Sequence, residues 1–501
     1  MTRALTCSSA IGLVFLATAA SADVTPQEVW ASWQAMMTSA GQELTVGNTA
    51  DSGKAVEVTD LAVTYKDQMG GSASIIFDKL SFTDNGDGTV TVAMPESYPM
   101  QLAFPAQGDG PGSVKLTVSQ PGAVIVAGGS ADQTSYKMTA PTMKITLDEV
   151  TDQGGKVLDT KGDLALTGLE GGYEVTRTGE TMGLDSDFSA KTAVFDLNGS
   201  DGSGGSGKIS VNFADLKGAT KGNFLNPEMM ANMALALNSG FTMDTSFSFG
   251  AMTLDADITE AQGPTKMTAN ASGGSFVLAM DKVRMNYGTT LTGAKFTISG
   301  AEIPFPQVEV AFADSAFNLL MPVTKSDTPQ DFAYLTKVVD FTVSDDVWGL
   351  FDPAAMLSRE PATFIVDLKG KGFWTKDIMD PEVQMEGATP PGELHSLDLT
   401  QVLAKAAGAE VSGTGALTFD NSDTATFGGM PRPDGKVVVN IKGVTKLVDN
   451  LIALGLISED DAMGFRMGLA MVAKPGAGPD ELVSEIEFKE GGLFANGMRM
   501  Q

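Results

Sequence analysis

The chain has 501 residues with 62 acidic against 33 basic side chains, a net charge of −29, one cysteine and one histidine. A surface of that sign repels nucleic acid and anionic lipid headgroups. One cysteine excludes a disulfide framework, and one histidine beside it excludes a His/Cys zinc site.

The first 24 residues, MTRALTCSSAIGLVFLATAASADV, hold Arg3, an apolar run over residues 10–20 and the small-x-small site Ala20-Ser21-Ala22. This pattern predicts a cleavable secretory signal peptide over 1–22, export to the periplasm and a mature chain starting at Asp23. The run is shorter than the roughly 18 residues a spanning helix needs, and no later run is longer, so no transmembrane segment is expected after cleavage. Cys7 precedes the apolar run and is no lipid-attachment cysteine. Next, Thr25-Pro26-Gln27-Glu28 is a capping box with proline at the first helical position. The stripe Val29, Trp30, Trp33, Met36, Met37 and Ala40 makes that helix amphipathic.

Beyond this helix the chain is mostly predicted as strands. Val114, Leu116 and Val118 alternate with Lys115, Thr117 and Ser119; Met143, Ile145 and Leu147 alternate with Lys144 and Thr146; ATFIVDLKG behaves alike. Punctuation such as DNGDG (84–88), QPG (120–122), QGG (153–155) and PDG (433–435) separates them. One apolar and one polar face per strand is the pattern of antiparallel sheet. The expected fold class is mainly β (α+β): an extended, mostly antiparallel sheet with a few amphipathic covering helices, forming a single elongated region over 23–501.

DNGDG fails as a calcium loop, because Gly86 stands where an oxygen ligand is needed and no glutamate closes the frame. GSDGSGGSGKIS (199–210) contains GxxxxGK through Gly202, Gly207 and Lys208. A phosphate loop needs a Ser or Thr next and then a helix, whereas Ile209, Val211 and Phe213 alternate as a strand. A Gly/Ser hairpin tip is the expectation. Further helices are predicted from Asn226-Pro227 (with Met229, Met230, Met233 and Leu237), from Thr328-Pro329, from Ser344-Asp345, and over 400–407, 444–454 and 458–473. GSASIIFDKLSF (71–82) and GSFVLAMDKVRM (274–285) share Gly, Ser, Asp and Lys at matched offsets. Chance convergence among similar strands and a duplication into two similar halves both account for this.

Candidate chemistry is sparse. His395 stands in PGELHSLDL, at the start of the segment read as helical over 400–407; Ser396 and Asp398 are too near in sequence to complete a triad, and no GxSxG elbow accompanies it. No catalytic, cofactor-binding or metal-binding residue and no cofactor is expected. Met463, Met467 and Met471 recur every four residues on one predicted helix. Thioethers so placed can hold Cu(I), although such stripes more often fill core. The functional reading preferred for them is contact with an apolar ligand or partner, the helix covering the sheet.

DDVWGLFDP (345–353), REPATFIVDLKGKGFW (359–374), AGAEVSGTGALTFD (407–420), VNIKGVTKLVDNLIALGLI (439–457) and the closing EIEFKEGGLFANG resemble the bacterial domain of unknown function 2125 family. The resemblance covers residues 345–501. It implies an envelope protein of alphaproteobacterial type with no assigned activity and brings no catalytic residues. Members often keep an uncleaved anchor, whereas Ala20-Ser21-Ala22 predicts cleavage here. Together these features lead to an expected non-catalytic periplasmic envelope protein that binds or scaffolds, with lipid or an envelope protein as partner, no nucleic acid, and an apolar groove. A carboxylate-dependent glycan hydrolase, which needs only Asp and Glu, is the alternative.

Overall fold

The computed structural model describes residues 23–501 apart from 40, 68–69, 106–111, 131, 180, 201–203, 226, 382 and 384–390. The predicted signal peptide, Gly202 of the glycine loop and Asn226 lie outside the described residues. The described strands form one 27-stranded sheet in which every ladder pairing between strands is antiparallel. Pairing follows the chain, strand after strand, with pairs of short strands lying end to end on single rungs near residues 42–51, 90–127 and 242–280. The mainly β class expected from the alternation is what the chain adopts.

At one level across the sheet the alternation slips. On the strand Val157–Thr178, Leu164 and Leu166 are followed on the same face by Leu169, and both Leu166 and Leu169 pack on the Ala190, Ala193 and Leu216 cluster. The extra residue, Gly168, has φ +57°. Asp60, Asp215, Gly293 and Asp340 take the same left-handed conformation in other strands, and Gly250 and Ser272 separate collinear short strands beside Ala214 and Thr292. An inserted residue bends a strand while restoring its apolar side chains to one face.

Two expectations are corrected. Thr328-Pro329 opens no helix, since Gln330–Val343 is a strand in which Phe332, Tyr334, Thr336 and Val338 favour the pleated surface. Residues 400–407 belong mostly to the strand Gly392–Ala406, and His395 lies inside that strand. Its bulges space Leu394, Leu397, Leu399 and Val402 at alternating intervals of two and three, which imitates a helical period. Of the two similar stretches, 71–82 runs along the strand Ser72–Asp84, whereas 274–285 turns a corner at residues 281–283 between two strands.

The helices are α1 (Pro26–Ser39), α2 (Pro227–Met230), α3 (Met233–Asn238), α4 (Asp345–Trp348), α5 (Val444–Ala453) and α6 (Glu459–Val472). The capping box of α1 forms: Thr25 N donates to Glu28 Oε2 at 2.9 Å, and Glu28 N donates to Thr25 Oγ1 at 3.2 Å. Val29, Trp30 and Trp33 of α1 are buried against Val56, Val58, Leu61, Leu80 and Phe82. Both indoles lie 5.5 Å from the Phe82 ring, one of them edge-on. Truncating a tryptophan so placed costs about 3–5 kcal/mol. This is the principal core of the molecule, and it sits at the amino-terminal end of the sheet.

Candidate ligand-binding face

Residues directly opposed in an antiparallel ladder share a face. One row runs Leu44, Val63, Ile75, Met100, Leu116, Leu147, Gly162, Leu197, Ile209, Ala256, Met267, Ile298, Val308, each paired with the next. Only Gly162 lacks an apolar side chain. Beyond the slip, a second row runs Val56, Phe82, Val92, Ile125, Met138, Gly171, Phe188, Gly218, Phe247, Phe276, Thr289, Phe317, Thr336, Val366, Val402, Gly413, Val439. Neighbouring strands lie ~4.8 Å apart, so this row is roughly 75 Å long measured along the sheet. The opposite face is polar, as in the row Thr117, Thr146, Asp163, Asp196, Ser210, Asp255, Thr268, Thr297, Glu309. Exposed ion pairs such as Lys115–Glu149, Lys221–Asp185 and Lys371–Asp331 decorate that side.

The apolar face is covered unevenly. At its amino-terminal end α1 buries it. Leu237 of α3, with Ala236, packs beside Met243, Met280 and Met285, three successive members of one row. Between and beyond these helices large side chains stay open to solvent: Phe188 is 40% exposed, Phe195 39% and Phe364 48%. Soluble monomers rarely leave contiguous apolar surface uncovered, and where they do it marks a binding surface.

Glycines on this face lie beneath aromatic rings. A Cβ at Gly218 would stand 2.1 Å from the Phe188 ring, and one at Gly274 or Gly370 would stand 2.4 Å from the Phe249 or Phe332 ring. Two of the cavities that open on the face have tyrosine in their walls. The larger, about 760 Å3, is lined by Leu319, Met321, Phe332, Tyr334, Trp374 and Leu394, with Gly428, Gly429 and Met430 on a loop above. Trp374 is fixed there by Nε1 donating to Pro322 O at 2.7 Å. The other, about 440 Å3, lies among Met138, Leu169, Tyr173, Phe188 and Phe247 over the hydroxyls of Ser186, Thr220 and Thr245. Burial, with Tyr136 beside it, pushes the Tyr173 phenol well above its ordinary range.

The residues singled out from sequence fall elsewhere. Met463, Met467 and Met471 lie on the outer side of α6, 56%, 65% and 60% exposed, so they are not core; α6 buries only Ala462. Met230 and Met233 pack in the α3 cluster. On either side of residues 201–203 of the glycine loop, which lie outside the described residues, Ser200 pairs with Ser206, and Ile209 joins the first apolar row. In DNGDG the carboxylates are occupied by their own turn, Asp84 Oδ1 accepting from Gly86 N and Asp87 Oδ1 from Thr89 N and Oγ1. The His395 ring stacks on Phe373 with centroids 5.4 Å apart and stands 3.5 Å from Glu393 Oε2. Among the described residues no cluster of three His, Cys, Asp or Glu side chains is placed to hold a metal ion. Nor is any described helix long and apolar enough to cross a membrane.

Two carboxylates, Asp159 and Asp257, do share a cleft of about 420 Å3 with Lys208 and Asn198. Glycoside hydrolysis requires one acid held protonated. Among the described residues, the carboxylates whose titration the fold displaces, Asp87, Asp420, Asp423, Asp480 and Glu485, are all displaced downward. The cavities and their aromatic lining escaped the sequence reading. The signal that could have found them was glycine recurring at inward positions opposite phenylalanine.

No curated protein and no solved structure matches the chain. Residues 251–500 match the model of a family described as an uncharacterized protein conserved in bacteria (DUF2125), a span that begins well before the motif-bearing stretch at 345 and takes in the larger cavity. Over that span the chain belongs to the DUF2125 family.

Proposed function

We propose that this is an exported, non-catalytic protein of the periplasm that binds the apolar chains of lipids along the uncovered face of its sheet. The observation that carries the reading is the second apolar row, which continues past α1 with Phe188, Phe247, Phe276 and Phe317 and with no described helix packed over those four rings. Phe188 is 40% exposed and the other three are half-buried, so each forfeits only part of the about 1.5–3 kcal/mol that full burial yields, and an acyl chain lying on them recovers that part. The exposed methionines 463, 467 and 471 add a yielding apolar patch on which ligand or an envelope partner can rest.

The test is native mass spectrometry of protein purified from its own periplasm. Co-purified lipid is expected. Phe188→Asp with Phe247→Asp, both on the apolar face, should abolish it, while Thr146→Asp on the polar face should not. Lipid-free wild-type protein, or loss of lipid in the polar-face variant alone, would sink the reading.

A further inference from the structure

We propose that the α1 end of the apolar face is a head-group site for a carboxylate, and that its ligand is a free fatty acid whose chain lies in the cavity beside Tyr173. The inference rests on the reading that the face takes apolar chains, and adds what anchors one of them.

Arg177 stands four residues beyond Tyr173 and two beyond Val175 on the strand Val157–Thr178, so the pleat turns its side chain to the apolar face. Its Nη2 donates to Ser32 O of α1 at 3.4 Å. Arg284, Arg359, Arg432 and Arg466 each hold a carboxylate. Among the described residues Arg177 holds none, in a chain with 62 acidic side chains. A guanidinium without a counter-charge is out of place on an apolar surface.

Two further donors wait beside it. Trp33 Nε1 and the Tyr136 hydroxyl are buried, in residues 7% and 2% exposed, and among the described residues neither reaches a partner in full hydrogen-bond geometry. Burial raises the Tyr136 pKa, opposed by loose hydrogen bonding from Ser32, the charge of Arg177 and loose hydrogen bonding from Trp33; these three groups lie near one hydroxyl without closing on it in full hydrogen-bond geometry. Buried polar atoms left unpaired in a native fold call for an explanation, and an absent ligand is one. The guanidinium fork takes both oxygens of a carboxylate, and the phenol and indole donate to their remaining lone pairs.

The chain has a path from there. The Tyr136 ring stacks on Tyr173 at 4.5 Å and 17°, and Tyr173 is a wall of the 440 Å3 cavity. Ser186, Thr220 and Thr245 keep the cavity floor low beneath Phe188 and Phe247. The volume is within the usual range for one small ligand.

Radiolabelled oleate and oleyl alcohol, which differ only in the head, test this on the delipidated mature chain. Wild type should bind oleate about ten-fold more tightly than the alcohol, a difference of ~1.4 kcal/mol. Arg177→Gln and, independently, Tyr136→Phe should erase that preference, the loss falling on oleate far more than on the alcohol. If Arg177→Gln does not fold, the wild-type ratio and Tyr136→Phe still decide. Equal binding of both ligands by wild type overturns the head-group site while leaving the apolar face standing. Binding of neither overturns both.

Discussion

The smallest informative unit is the glycine under a ring. Gly218, Gly274 and Gly370 accept Phe188, Phe249 and Phe332 across their strands, which lowers these rings onto the backbone and leaves the surface above shallow. Methionine shows how little residue type decides by itself. Met243, Met280 and Met285 pack under α3, whereas Met463, Met467 and Met471, evenly spaced on a helix, are the exposed ones. Spacing marked a stripe, but what faces the stripe is a tertiary fact that one sequence does not carry. The placement makes a sharp prediction. Met467→Gln removes nothing from a core, so stability should stay within about 0.5 kcal/mol of wild type and the thermal midpoint should move by less than about 2 °C. A fall of many degrees in a melting experiment would mean that α6 is packed against something.

At the scale of elements, the loop above the larger cavity carries its own clasp. Arg432 Nη2 donates to Asp420 Oδ2 at 2.8 Å and its Nε stands 3.2 Å from Asp423 Oδ2. Hydrogen bonds from Ser422 first, then Arg432, hold the Asp420 carboxyl down at about 2, below its ordinary 3.8. A depressed folded-state pKa contributes stability above the unfolded value that is lost as pH falls through the folded one. The clasp should therefore be whole above pH 4 and open as pH drops toward 2, carrying Gly428, Gly429 and Met430 with it. Amide exchange across residues 421–431 would track this opening; protection unchanged at pH 2 would show that the clasp does not hold the loop.

Elements also show where the sequence was readable. The capping box at Thr25 and the start of α6, where Asp461 N donates to Ser458 Oγ, were legible because each is written in residues that touch one another locally; α4 and α5 start where the sequence places them, although their first residues are held by Glu309 and Asp480 from far along the chain. The strand Gly392–Ala406 was not legible, because two bulges fixed by its partner strands changed its period. The apolar face was legible strand by strand. Its rows were not, since they depend on the register between strands, and Arg177 reaches Ser32 of α1 across 145 positions of chain.

For the molecule as a whole, export is the outermost prediction: amino-terminal sequencing of protein from the periplasmic fraction should begin at Asp23. An intact Met1 form retained in carbonate-washed membranes would argue for an anchored protein instead. The order of the sheet has a separate consequence. Because strands pair with close neighbours in the chain, the 27-stranded sheet is in effect one-dimensional, and its stability is a sum of local terms and nearest-neighbour couplings, as in stacked repeats. Contacts between close neighbours also keep loop-closure costs low and assembly fast for so β-rich a chain. The terms are unequal along the array, large where α1 seals a dry core and small where one side is wet. A chain delivered amino terminus first would complete its strongest segment before the rest arrives, and each later hairpin would zip onto a template already standing.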